Sequence, residues 1–288
     1  MRVANLDEYE LIDTSNGERL ERFGDIILIR PDPQIIWDTP KSNPLWKNAH
    51  AHYHRSNTGG GSWEEIKKVP KVWTIKEYGI TFNLKMMGFK HTGIFPEQAT
   101  NWQFGRSKIK KQNRKIKVLN LFAYTGGATL AAASAGAEVC HVDASKGMVS
   151  WARENAIASN MNDKLIRWLI DDCIKFVQRE QRRGNKYDGI IMDPPSYGRG
   201  PGGEVWKLEE HLFSLVKLCA SLLSHNAIFF ILNSYTTGLS PSIMSYLLSE
   251  VIQKQKGGKV SADEIGLQVT QSGLILPCGS TAIWESID

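Results

Sequence analysis

From Pro96 to about residue 255, apolar runs of strand length alternate with stretches of helix length. No other feature of the chain limits its fold as much. Strands are predicted near residues 116–122, 138–143, 165–170, 187–193 and 226–233. Helices are predicted near 127–137, 145–159, 172–183, 207–224 and 240–255. The pattern implies βαβ units and a mostly parallel, doubly wound α/β sheet. Pro96-Glu97-Gln98 opens the first helix of this region, with proline at an allowed early position. Two more strands are expected around Leu276-Pro277-Cys278-Gly279, between about Leu267 and Trp284.

The start of the chain reads differently. Ile26-Ile27-Leu28-Ile29 is a strand stopped by Pro31 and Pro33, and Lys71–Ile75 and Ile80–Leu84 flank a turn at Glu77-Tyr78-Gly79 as a hairpin. Residues 1–90 are therefore expected to form a small β-rich subdomain and residues 91–288 the α/β domain. Apolar residues make up 42% of the 288, enough for a sizeable core. The net charge of +5 is compatible with a polyanionic partner without requiring one. Cys140, Cys173, Cys219 and Cys278 show no CxxC spacing and read as structural thiols of a reducing compartment. Met1–Tyr9 lacks an apolar signal core, and the run Ala227–Leu232 is far too short to span a bilayer, so a cytoplasmic protein with no membrane association is expected.

In an open α/β sheet, ligands bind beyond the carboxyl ends of the strands, so the residues there carry the functional reading. The first strand runs into Asn120-Leu121-Phe122-Ala123-Tyr124-Thr125-Gly126-Gly127, whose glycines allow a sharp turn and close approach of a ligand. It has neither the glycine spacing nor the lysine of a phosphate cradle. The second strand ends at Asp143, placed to accept from ribose hydroxyls, and the third at Asp171-Asp172, where an acid can accept from an exocyclic amine. A strand-end Asp is often just a helix cap, but capping explains such a series poorly. A nucleoside without pyrophosphate fits. S-adenosylmethionine fits in particular, with its ribose at Asp143, adenine at Asp172, and the methionine part over Tyr124–Gly126.

The fourth strand, Gly189-Ile190-Ile191-Met192, ends in Asp193-Pro194-Pro195-Ser196-Tyr197. The prolines fix the backbone and remove two N–H donors while their carbonyls can still accept. With a carboxylate and an aromatic ring alongside, this lip suits a planar group bearing an amine.

These blocks together resemble the class I S-adenosylmethionine-dependent methyltransferases. More narrowly, they resemble the bacterial 23S ribosomal RNA methyltransferases that modify cytosine C5 or guanine N7. The resemblance runs from about Thr92 to Tyr235 and rests on Asn120–Gly127, Val142-Asp143-Ala144-Ser145-Lys146, Asp172, Asp193–Tyr197 and the upstream His91–Gln98. It implies a Rossmann-like sheet and a cofactor site at Thr92, Gln98, Asn120, Phe122, Tyr124, Thr125, Gly126, Asp143, Ala144, Ser145, Asp172, Cys173 and Asp193. It further implies catalysis by Asp193, Pro194, Pro195 and Tyr197, substrate contact at Tyr197 and Arg199, and ribosomal RNA as the partner. Family members begin with a separate RNA-binding module. The β-rich start here is open between RNA binding and dimerisation.

Members that methylate cytosine C5 place a cysteine after the fifth strand, because a thiolate must first add to C6. This chain reads Leu232-Asn233-Ser234-Tyr235, which favours transfer to a base nitrogen. Two other readings stay open: a methyltransferase for a protein side-chain amide or small molecule, and a dinucleotide oxidoreductase, against which the missing phosphate cradle argues.

Weaker signals complete the reading. Arg106–Lys117 is basic and free of acids, and reads either as a phosphate-contacting strip or as a solvated helix end. Gly198–Gly203 is expected to gate the substrate, with Arg199 near the nucleic acid. Trp206 is read as core packing, with closure over the site together with Lys207 as the alternative, and Trp102 as a cofactor neighbour. His50-x-His52-x-His54 places imidazoles on one face of a strand. With no nearby cysteine, a surface strand and no metal are expected.

Overall fold

The computed structural model describes residues 1–56, 60–199, 205–236 and 238–287, with Arg199 described by its backbone alone. The chain falls into two compact units. The larger takes Met1–Arg2, Thr100–Ile265 and Gly279–Asp288, and the smaller takes Val3–Ala99 and Gly266–Cys278. Nothing local in the sequence marks the second segment of the smaller unit. Its place rests on distant pairing, such as the Thr270 and Gln271 N–H groups donating to the carbonyls of Leu11 and Ile12 at 2.9 Å each.

A short strand, β1 (Arg2–Ala4), opens the chain. In the smaller unit β2 (Tyr9–Ser15), β3 (Glu18–Phe23) and β4 (Ile26–Pro31) form an antiparallel meander. The β2–β3 turn is Asn16-Gly17, both at positive φ, as a two-residue hairpin of matching twist requires. Next, β5 (Ala51–Arg55) pairs parallel to β4, and β6 (Gly61–Glu65) pairs antiparallel to β5, completing five strands. The separate hairpin of β7 (Trp73–Glu77) and β8 (Ile80–Leu84) turns at Tyr78-Gly79, close to its sequence prediction. The meander buries charge as well as apolar groups. Arg30 Nε donates to Glu21 Oε2 at 2.6 Å, and the Tyr9 hydroxyl donates to Glu21 Oε1 at 2.7 Å. Removing Arg30 or Glu21 would leave a buried charge without its ion-pair partner, at a cost of about 3–5 kcal/mol.

The larger unit carries the α/β alternation. It runs α1 (Ala99–Lys110), β9 (Lys117–Leu121), α2 (Gly127–Ser134), β10 (Glu138–Asp143), α3 (Lys146–Ala158), β11 (Ile166–Ile170), α4 (Cys173–Arg183) and β12 (Gly189–Met192). A small antiparallel pair, β13 (Tyr197–Arg199) and β14 (Val205–Lys207), precedes α5 (Leu208–Ala220) and β15 (Phe229–Ser234). Helix α6 (Pro241–Leu248) continues through a π-type turn into α7 (Lys254–Lys256), and β16 (Lys259–Gln268) and β17 (Ile275–Glu285) end the fold. The sheet order is β1-β16-β17-β15-β12-β9-β10-β11. Strands β11, β10, β9, β12 and β15 are parallel, and β17 runs antiparallel to β15. The inner parallel strands β10, β9, β12 and β15 are covered on both faces and therefore read as continuous apolar runs: Leu119, Val142, Ile190, Met192 and Phe230 are all buried.

The chain leaves β9 toward β10 on one side and later returns to place β12 on the other. The carboxyl end of β9 is thus the point where strand order reverses, and the crevice there is the expected ligand position. A cavity of about 530 Å³, lined by Lys117, Glu138, Arg167 and Tyr187 among others, lies at the opposite, amino-terminal ends of β9–β11 and takes no part in this crevice.

Candidate active site

The loop from β9 to α2 is held at nearly every residue. The Phe122 N–H donates to the Cys173 Sγ at 3.3 Å, that of Ala123 to the Val142 carbonyl at 3.1 Å, and that of Tyr124 to Asp143 Oδ2 at 2.9 Å. The Asn155 amide, fully buried, donates to the Thr125 carbonyl at 2.9 Å. Phe122 and Tyr124 both take positive φ, 55° and 50°, a conformation L-residues adopt only where surroundings enforce it. Gly126 follows at φ 88°, and a side chain there would come within 3.0 Å of the Ala152 Cβ. At Gly127 a Cβ would meet the Trp102 ring at 2.6 Å, so this glycine makes room for a buried indole under the first turn of α2.

Asp143 has a role that sequence reasoning did not anticipate. Its two carboxylate oxygens accept from the Tyr124 and Ser145 N–H groups at 2.9 and 2.8 Å, so it ties the glycine turn to the start of α3. Each oxygen keeps a lone pair that can accept a further hydroxyl. Burial raises its pKa, and those two N–H groups oppose the rise. Ser145 caps α3, and Asp172 caps α4 by accepting from the Lys175 N–H at 2.8 Å with its side chain exposed. Asp171 pairs with Arg179.

Asn120 faces the interior. Its amide donates to the Thr129 Oγ1 at 2.9 Å, and that hydroxyl lies 2.9 Å from the His141 Nδ1. The His141 Nε2 is buried without a hydrogen-bond partner among the described residues, and burial, helped by nearby Arg153, pushes its pKa down to about 3. The chain Asn120–Thr129–His141 therefore braces the loop from below. Thr92 and Gln98 belong to the smaller unit, where both are buried, and the Thr92 hydroxyl has no partner among the described residues.

At the end of β12, Asp193 is half-buried and Pro194 buried, while Pro195 and Ser196 are exposed and Tyr197 is 52% exposed. The lip is anchored from three directions. The Trp206 Nε1 donates to the Pro195 carbonyl at 2.6 Å, the Leu208 N–H to the Ser196 carbonyl at 3.0 Å, and the Thr236 hydroxyl to the Ser196 Oγ at 2.6 Å. Trp206 packs against the core, as expected, and also braces the lip. Its ring lies 6.5 Å from that of Phe122 and stacks on His211 at 5.3 Å. Its position follows from the β13–β14 pairing, which sets Gly198 opposite Trp206, and spacing along the sequence could not reveal it. The expected gating loop Gly198–Gly203 lies mostly outside the described residues, as does the Arg199 side chain.

At the end of β15, Asn233 and Ser234 are buried. The Asn233 Oδ1 accepts from the Asn101 amide at 2.8 Å. Burial pushes the Cys140 thiol up to about 11 and those of Cys173, Cys219 and Cys278 further still. No cysteine of this chain is set up as a thiolate nucleophile.

A profile of S-adenosylmethionine-dependent methyltransferases matches residues 48–240. A crystal structure of the SAM-dependent methyltransferase from Agrobacterium tumefaciens is 36% identical, with 99% of this chain and 93% of that one covered at a TM-score of 0.93. This chain belongs to the S-adenosylmethionine-dependent methyltransferase family. Its cofactor is S-adenosylmethionine. The residues fit that group: a constrained glycine turn at the switch point, an acid at the next strand end with lone pairs to spare, and no phosphate cradle.

A protein from Streptococcus mutans proposed to be a SAM-dependent methyltransferase shares the fold at 20% identity and a TM-score of 0.73, with 99% of this chain and 76% of that one covered. Curated relatives include the ribosomal RNA large subunit methyltransferase K/L of Shewanella oneidensis, 31% identical over 152 residues, and that of Colwellia psychrerythraea, 29% identical over 140 residues. The matches cover 52% and 48% of this chain but only 20% and 19% of those proteins, so the methyltransferase spans about a fifth of their length. Among the described residues no helix is long and apolar enough to cross a membrane.

Proposed function

We propose that this methyltransferase transfers a methyl group to a nitrogen of an RNA base, with large-subunit ribosomal RNA in the cytoplasm as the substrate. The observation that carries this reading is the lip Asp193–Tyr197 at the switch point, combined with a β15 end that offers Asn233 and Ser234 where addition to a pyrimidine ring would need a thiolate. The names of the curated relatives favour ribosomal RNA.

The bound cofactor supplies an electrophilic methyl on a sulfonium. The chain's residues do the rest by orientation. An unstacked base enters beside Tyr197, whose exposed ring covers its face. The Asp193 carboxylate and the Pro194 carbonyl, both acceptors, hold the base through its amino or ring N–H and aim a nitrogen lone pair at the methyl. Asp143 and the turn Tyr124–Gly126 hold the cofactor, and the half-buried acids favour its positive charge. Fixing two reactants in line accounts for most of the acceleration such a site needs.

Turnover on ribosomal RNA from cells lacking the modification tests the assignment. Asp193→Ala is expected to lower kcat by about 10²-fold or more while S-adenosylhomocysteine affinity changes less, since orientation of the base is lost. A variant that turns over within a few-fold of wild type would remove Asp193 from the mechanism.

A further inference from the structure

We propose that the β5–β6 hairpin of the smaller unit carries a divalent transition-metal site formed by His52, His54 and Glu64. The two histidines alternate along β5 and so share one face, and the antiparallel register sets Glu64 of β6 directly opposite His52. Their imidazole rings lie 4.0 Å apart between centroids, and the His54 Nε2 lies 2.7 Å from Glu64 Oε2. One donor atom from each of the three residues falls within 4.8 Å of the other two. Ligand atoms around a tetrahedral zinc ion stand about 3.4 Å apart, so small side-chain rotations close the set.

Glu18 gives the cluster a built support. Its Oε1 lies 2.5 Å from the His52 Nε2 and its Oε2 accepts from the Lys41 ammonium at 2.5 Å. A carboxylate on one ring nitrogen of a histidine orients the imidazole and strengthens the other nitrogen as a ligand.

His50, the third histidine of the sequence triplet, stands outside the set because its Nδ1 accepts the Ile27 N–H at 3.0 Å. Two imidazoles and a carboxylate suit zinc and its neighbours in the first transition row, not calcium or magnesium, which prefer oxygen ligands throughout. The sequence alone could not supply this site, because Glu64 and Glu18 reach it only through strand pairing.

The test uses the full-length protein without an affinity tag, freed of metal by chelation and then dialysed. Zinc is titrated calorimetrically, and cobalt(II) is followed by visible absorption. One ion per chain is expected, with the visible bands of a four-coordinate cobalt site. His54→Ala with Glu64→Ala is expected to abolish stoichiometric binding, and Glu18→Gln to weaken it roughly 10- to 100-fold. The side chains of His54 and Glu64 are 50% and 61% exposed, so this double variant is expected to fold, which its circular dichroism checks. Failure of the wild type to bind one ion per chain overturns the proposal. So does a folded double variant that binds as the wild type does, because the ion would then sit elsewhere.

Discussion

Asp172 shows how one side chain can be assigned two roles that a single substitution confuses. It caps α4 through the Lys175 N–H, and it stands at the end of the third strand where an adenine amine would need an acceptor. Asparagine caps a helix about as well as aspartate, whereas alanine costs about 1 kcal/mol. Asp172→Asn is therefore expected to leave the melting temperature near wild type and to weaken S-adenosylhomocysteine binding several-fold in calorimetry. Asp172→Ala is expected to lose both. Equal affinity in wild type and Asp172→Asn would leave Asp172 a cap alone.

His141 makes a second residue-scale case. Its folded pKa of about 3 lies below the ordinary histidine value of 6.5, because burial, with Arg153 nearby, disfavours the charged ring. Between those pH values the unfolded chain holds a proton that the folded chain does not. Stability is thus full above about pH 6.5 and falls as pH drops toward 3, by up to about 1.4 kcal/mol per pH unit from this group. Denaturant melts of wild type and His141→Gln across that range are expected to converge as pH falls. Parallel curves would show that the ring does not stay neutral. Both roles of Asp172 were legible in the sequence as those of a strand-end acid, but the N–H groups that Asp143 accepts, and the burial of His141, arise only from packing.

The elements of the α/β unit were legible because the apolar runs had the lengths and the flanking turns that helices and strands need. The glycine turn and the Asp-Pro-Pro-Ser-Tyr lip appeared where the strand pattern put them, at the ends of β9 and β12. What escaped was pairing between distant segments: the return of Gly266–Cys278 to the smaller unit, and the β13–β14 pair that sets Trp206 on the Pro195 carbonyl.

The basic stretch Arg106–Lys117 is the end of α1, a turn, and the start of β9, at the amino ends of the strands. Lys108 pairs with Glu285, and Arg114 pairs with Asp188 and donates to the Asn226 carbonyl, so these two are already engaged. Lys110, Lys111 and Lys115 are exposed and point to solvent-side contacts. If RNA phosphates reach this turn, replacing these three with glutamine lowers the salt slope of binding by about 0.7 per lost contact with single-stranded RNA. Filter binding at several salt concentrations measures this, and an unchanged slope would make the stretch a solvated helix end.

At the scale of the whole molecule, the sheet order sets four strand ends side by side, and the chain's chemistry depends on what each contributes. Strand β9 gives a constrained turn that carries no phosphate cradle, β10 gives an acid tied to that turn, and β12 gives a braced lip of acceptors beside an exposed ring. The end of β15 gives amide and hydroxyl groups, and every thiol is held in its neutral form by burial. In the proposed function, such a site orients a nitrogen that already owns a lone pair. The most direct measurement is therefore transfer of a labelled methyl from S-adenosylmethionine to unmodified ribosomal RNA, followed by digestion and mass spectrometry of the labelled nucleoside. The label is expected on a base nitrogen, and its appearance at C5 of a pyrimidine, or its absence from the RNA, would contradict the account.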